Sequence, residues 1–133
     1  MSGLEVYAPL GLPLFAFGVL HLVQLLVADV VGLRSGHTPG TPVDGGHDDA
    51  LFRASRAHAN TAESLGVLLL FVVAGVLLGG SPLWMSRALW ALVALRTLYT
   101  LCYWFDQRTL RSIVFVLMLL ALIALGGAAF VPA

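Results

Sequence analysis

Hydrophobic positions fall into four long blocks separated by short polar interruptions. The pattern predicts helix 1 over 9–33, helix 2 over 50–78, helix 3 over 83–105 and helix 4 over 110–130. Pro9 and Pro13 suit the first turns of helix 1, where a missing N–H costs little. Gly79-Gly80-Ser81-Pro82 is a stop signal after helix 2. Gly75 and Gly79 form a GxxxG near that end, which would let helices approach closely. Residues 34–49, RSGHTPGTPVDGGHDD, read as a flexible connection, with Asp48 or Asp49 expected to cap helix 2.

The polar positions inside these blocks carry most of the information. The unbroken apolar run of helix 2, Leu65 to Leu78, covers only ~21 Å of a ~30 Å hydrocarbon core. Helix 2 must therefore take polar residues into the membrane. At ~100° per residue, Arg53, Arg56, Asn60 and Glu63 share one face about 80° wide, and His58 points away. An ionisable residue at that depth costs roughly 2.5–3.5 kcal/mol, which makes it a functional candidate. The simpler alternative is that Arg56 and Glu63 pair and hold helices together.

Helix 3 carries Arg96 at mid-span, with Tyr99, Thr100 and Tyr103 on the same face. For Arg96 the simpler alternative is a charge partner for Glu63. Helix 4 opens with Arg108, Arg111 and Ser112, although cations at a helix N-terminus oppose the macrodipole. In helix 1, His21, Gln24 and Ala28 share a face with Asp29 at its edge, and His21 reads as a packing residue.

Composition agrees with an all-α, polytopic membrane protein forming one domain over 1–133. Of 133 residues, 59% are hydrophobic and 11% charged. Zero net charge gives a nucleic-acid partner no electrostatic support. The single cysteine excludes an internal disulfide or a Cys-based metal site. His37, Asp44, His47, Asp48 and Asp49 match no metal-ligand spacing, so no metal is expected. Neither a cleaved leader nor a lipid anchor is expected, because no positive n-region or acylation motif is present. Arginines concentrate at the first connection (Arg34, Arg53, Arg56) and the third (Arg108, Arg111). The positive-inside rule then puts both termini outside and the polar ends of helices 2, 3 and 4 together at the cytoplasmic face of a cell (inner) membrane.

Such a site favours carboxylates or phosphates through its arginines and an ammonium through its lone glutamate. An arginine near a hydroxyl also stabilises a thiolate. A small thiol with two carboxylates, such as glutathione, would use all of these groups, and a phospholipid headgroup would satisfy the same arginines. Polar groups gathered at one side do not trace a transport path.

The segment Arg56-Ala57-His58-Ala59-Asn60-Thr61-Ala62-Glu63 resembles the helix 2 signature of the MAPEG superfamily, the membrane-associated proteins in eicosanoid and glutathione metabolism. Arg96-x-x-Tyr99-x-x-x-Tyr103 followed by Leu110-Arg111-Ser112 resembles its helix 3 to helix 4 segment. The chain looks closer to bacterial members. It departs from the pattern in lacking a proline soon after Glu63 and in having Ala59 where some members carry a polar residue. The resemblance implies a homotrimer of four-helix subunits with glutathione bound between neighbours. It implies that Arg56, Asn60 and Glu63 bind the peptide with help from Arg96, Tyr99 and Tyr103, and that Arg111, with Arg108 as rival, activates the thiol. Arg53 joins this set from its helical face, and Ser112 from its place beside Arg111. The implied activity is a glutathione transferase or peroxidase acting on lipophilic electrophiles or lipid hydroperoxides. The alternative is a non-catalytic lipid-binding or scaffold protein of the same fold.

Overall fold

The computed structural model describes residues 2–132. Among these residues, four long helices follow a short helical turn (Ser2–Glu5) and a 3-10 turn (Ala8–Leu10). We name them α1 (Gly11–Arg34), α2 (Ala50–Leu77), α3 (Pro82–Trp104) and α4 (Arg108–Ala128). The expected helices are all present. The first begins two residues later than expected because Pro9 belongs to the 3-10 turn.

The helix ends follow from local chemistry. The Asp49 carboxylate caps α2, accepting from the backbone N–H of Leu51 at 2.7 Å and of Phe52 at 3.3 Å. Three helices close with the same Schellman arrangement, in which a left-handed residue turns the chain and the next N–H reaches back to the last turn. Gly36 (φ 73°) does this for α1, with His37 N–H on the Gly32 carbonyl at 3.0 Å. Gly79 (φ 71°) does it for α2, with Gly80 N–H on the Gly75 carbonyl at 2.8 Å. Asp106 (φ 52°) does it for α3, with Gln107 N–H on the Cys102 carbonyl at 2.7 Å. The GxxxG reading therefore needs correction. Gly75 is buried in the packing against α3, whereas Gly79 is exposed and serves as the helix terminator.

Three of the four helices (α1, α2 and α4) are long and apolar enough to cross a membrane. α3 is long enough, at ~34 Å, but is more polar. The bundle accommodates it by making it an inner helix. α3 packs against α1, α2 and α4, and α2 likewise touches the other three. The polar stripe of α3 is turned inward, leaving Arg96, Tyr99, Thr100 and Tyr103 buried. Gln24 of α1, fully buried, donates its side-chain N–H to the Thr100 hydroxyl, which in turn donates to the Arg96 carbonyl at 2.8 Å. The expectation that the α1 polar stripe faces other helices holds at Gln24. Below this polar layer an apolar core forms around Leu68, Met85, Leu89 and Leu125.

His21 and His58 also meet, stacked across the α1–α2 contact with ring centroids 4.5 Å apart. At the far end of the bundle, Gly80 lies against the end of α4. A Cβ there would come within 2.7 Å of the Ala128 carbonyl oxygen and the Ala129 Cα. Backbone cannot retreat as a side chain can, so Gly80→Ala should destabilise the fold by about 1–3 kcal/mol. Chemical unfolding in detergent beside Gly66→Ala, where a Cβ meets open space, will check this.

Candidate functional site

The site forms where the polar half of α2 meets α3 and the start of α4. On α2, Arg56 and Glu63 approach to 3.7 Å across two helical turns, with side chains 41% and 63% exposed. This pair lies within one helix, so it cannot hold helices together as the simpler reading had it. A pair so exposed contributes little in water.

Arg96 does not pair with Glu63. Its Nη2 donates to the Ser64 hydroxyl at 2.7 Å, and Ser64 had drawn no notice in the sequence. Its guanidinium carbon stands 5.4 Å from the Tyr99 ring centroid. Its Nη1 is buried without a hydrogen-bond partner among the described residues, leaving a charged donor unsatisfied there.

From Arg96 a ladder of cations and rings runs toward α4. Tyr99 meets Tyr103 edge to face at 5.2 Å, and the Arg111 guanidinium lies over the Tyr103 ring at 4.7 Å. Beyond Tyr103 stands His47, stacked at 6.1 Å, with its Nδ1 3.1 Å from Arg111 Nη1. Arg111 has no carboxylate partner among the described residues.

Arg108 is engaged differently. It donates to Asp106 at 3.1 Å and to Asp48 at 2.9 Å, both on the surface. The Ser112 hydroxyl donates to the Arg108 carbonyl at 3.2 Å.

Two hollows adjoin between α2 and α4. One, of about 280 Å³, has Asn60, Glu63, Ser64 and Arg96 on its polar side and Phe17, Leu68, Leu92 and Leu122 among its apolar walls. The other, of about 470 Å³, is lined by Asn60, Tyr99, Tyr103, Arg111, Ser112, Phe115 and Val116. Asn60 and Phe115 border both, so together the hollows make one groove. Of the sequence candidates, Asn60, Glu63, Arg96, Tyr99, Tyr103, Arg111 and Ser112 line it. Arg56 reaches it only through Glu63, Arg108 faces the surface carboxylates, and Arg53 turns to the connection and donates to the His47 carbonyl at 2.7 Å.

The groove has Arg111 and the two tyrosines at one end, the Asn60 amide at its middle, and Arg96 with Glu63 facing apolar walls at the other end. The MAPEG family profile matches residues 10–131. The chain belongs to the MAPEG family. No curated protein and no solved structure matches it. As a MAPEG protein it is a membrane helical bundle. Membership supports a glutathione-related transferase or peroxidase role, or a related one, in general terms.

The connection before α2 is less free than its composition suggested. His47, Asp48 and Asp49 each bind a different partner: Arg111, Arg108 and the α2 N-terminus. The sequence weighs His47 only as a metal ligand and sets it aside on spacing, because a histidine in a Gly/Pro/Asp-rich segment carries no periodic signal of a partner on another helix.

The Arg108 hydrogen bond, helped by the nearby charges of Arg108 and Arg53, holds the Asp106 carboxyl below its ordinary range. A depressed carboxylate pKa supports the folded state above the unfolded value and loses that support as pH falls through the folded one. Carbon-detected NMR titration should therefore find Asp106 ionising below the ordinary ~3.9. In Arg108→Ala it should return to that range.

Proposed function

We propose that this MAPEG protein is a glutathione-dependent membrane transferase or peroxidase acting on lipophilic electrophiles or lipid hydroperoxides. The observation that carries the proposal is the pair of uncompensated guanidiniums on one groove. Among the described residues Arg111 has no carboxylate partner, and the buried Nη1 of Arg96 has no hydrogen-bond partner. Both are donors that fit an anionic ligand. Glutathione's carboxylates suit Arg96 and Arg56, its ammonium suits Glu63, and Asn60 offers an amide between them. Tyr99 and Tyr103 wall the site.

Arg111 stabilises the thiolate. A free thiol of pKa ~8.5 is only ~3% ionised at pH 7, and lowering it by ~2 units takes ~2.7 kcal/mol. A guanidinium held in a partly desolvated groove is of the right strength to supply this. Arg108 is the weaker candidate because two carboxylates already neutralise it. Ser112 stands beside Arg111 with hydroxyl lone pairs to spare, since its proton is given to the Arg108 carbonyl. The apolar end of the groove admits the second substrate from the bilayer.

The subunit assembles as a homotrimer in the cell (inner) membrane, with both termini outside and the groove opening near the cytoplasmic face. An Arg56–Glu63 pair as exposed as this one is costly against lipid, and a neighbouring copy over the α2 face removes that cost. Native mass spectrometry from nanodiscs should give three times the 14.1 kDa chain.

Thiolate absorbance on adding glutathione tests the activity. At pH 7 wild type should show the band, Arg111→Ala should lose about 25-fold of it as the thiol returns to ~8.5, and Arg108→Ala should keep most of it. No band in wild type at saturating glutathione would defeat the enzyme reading. The apolar walls of the inner hollow favour the second reading in that event: a lipid-binding protein whose arginines hold a headgroup.

A further inference from the structure

We infer that His47, in the connection between α1 and α2, is a positioning residue for Arg111. The inference rests on the reading of Arg111 as the arginine that stabilises the thiolate, and it adds the group that aims it.

A guanidinium has no acceptor, so in the 3.1 Å contact Arg111 Nη1 is the donor and His47 Nδ1 the acceptor. That fixes the tautomer. The imidazole is neutral, with its proton on Nε2. The acceptor is itself held on several sides. Arg53 Nη1 donates to the His47 carbonyl at 2.7 Å. Phe52 meets the ring edge to face at 5.3 Å, and Tyr103 stacks on it at 6.1 Å. The next two residues are tied to Arg108 and to the α2 N-terminus.

An arginine side chain is long and samples many rotamers. Among the described residues Arg111 has no carboxylate to select one, and Tyr103 offers only a face, over which a guanidinium can slide and rotate. The His47 nitrogen adds direction. One Nη is fixed toward the connection, while the side chain also lines the groove, and the His47 contact is the one hydrogen bond its guanidinium makes among the described residues. A neutral acceptor does this without cancelling the positive charge, as a carboxylate in its place would. The contrast with Arg108 is direct, since that guanidinium is held by two carboxylates and its charge is spent.

The test uses the full chain in nanodiscs and two substitutions that separate the ring from its acceptor. His47→Phe keeps an aromatic ring against Phe52 and Tyr103 but has no acceptor. His47→Asn loses the ring but keeps an acceptor oxygen near the Nδ1 position. The first readout is the nitrogen NMR signature of Arg111, assigned with Arg111→Lys. Hindered rotation gives resolved Nη resonances, and free rotation averages them.

Resolved resonances in wild type and His47→Asn, averaged in His47→Phe, are expected. Unchanged resonances in His47→Phe would overturn the inference. Equal loss in both variants would overturn it too, because packing of the ring rather than its acceptor would then hold Arg111. The second readout is the thiolate band with glutathione at pH 7, expected to fall about threefold in His47→Phe, the effect of one pKa unit on a thiol lowered to ~6.5, and to recover in His47→Asn. A wild-type protein with ordered Arg111 resonances and no band would defeat the thiol reading while leaving the positioning intact.

Discussion

The hydrogen bond from Arg96 to Ser64 marks the constraint on which the bundle depends. A guanidinium in mid-span cannot meet lipid. It must find acceptors and rings inside the protein, and the Arg96 face of α3 must therefore be covered by other helices. The other helices arrange themselves accordingly. α2 supplies Ser64, α1 supplies Gln24 to the Thr100 hydroxyl, and α4 brings Arg111 over Tyr103. The least apolar helix thus packs against all three of the others, as α2 also does.

That arrangement leaves a charged groove with an unequal use of its arginines. At the α3–α4 turn, Asp106 adopts a left-handed backbone that most residues avoid by about 1–2 kcal/mol. Its carboxylate binds Arg108, so the residue that turns the chain also withdraws one cation from the groove. Three residues later Arg111 meets only a ring and a neutral imidazole. Two arginines one helical turn apart thus differ in available charge, and the difference comes from what the flanking connections place against them.

The helix count, the helix ends and the all-α class were legible because each rests on local chemistry. Hydrophobic blocks set the spans, Asp49 caps α2, and the Gly79-Gly80 pair stops it. The polar face of α2 and the Arg96-Tyr99-Tyr103 stripe were likewise visible as helical periodicity. Ser64 and His47 were not. Each matters through a partner at least thirty residues away in the chain, and no local spacing announces that partner.

The sequence by itself determined that the Arg96, Tyr99 and Tyr103 face of α3 turns inward, because a guanidinium and phenols at mid-span are poorly tolerated against lipid. It also carried the signature that identifies the MAPEG family. Only the tertiary structure decided the pairings. It gave Glu63 to Arg56 rather than to Arg96, Ser64 to Arg96, and Asp48 with Asp106 to Arg108. Helical periodicity fixes a direction around one axis. Which partner stands in that direction depends on the depth and rotation of a second helix, and those are set by packing across the whole bundle.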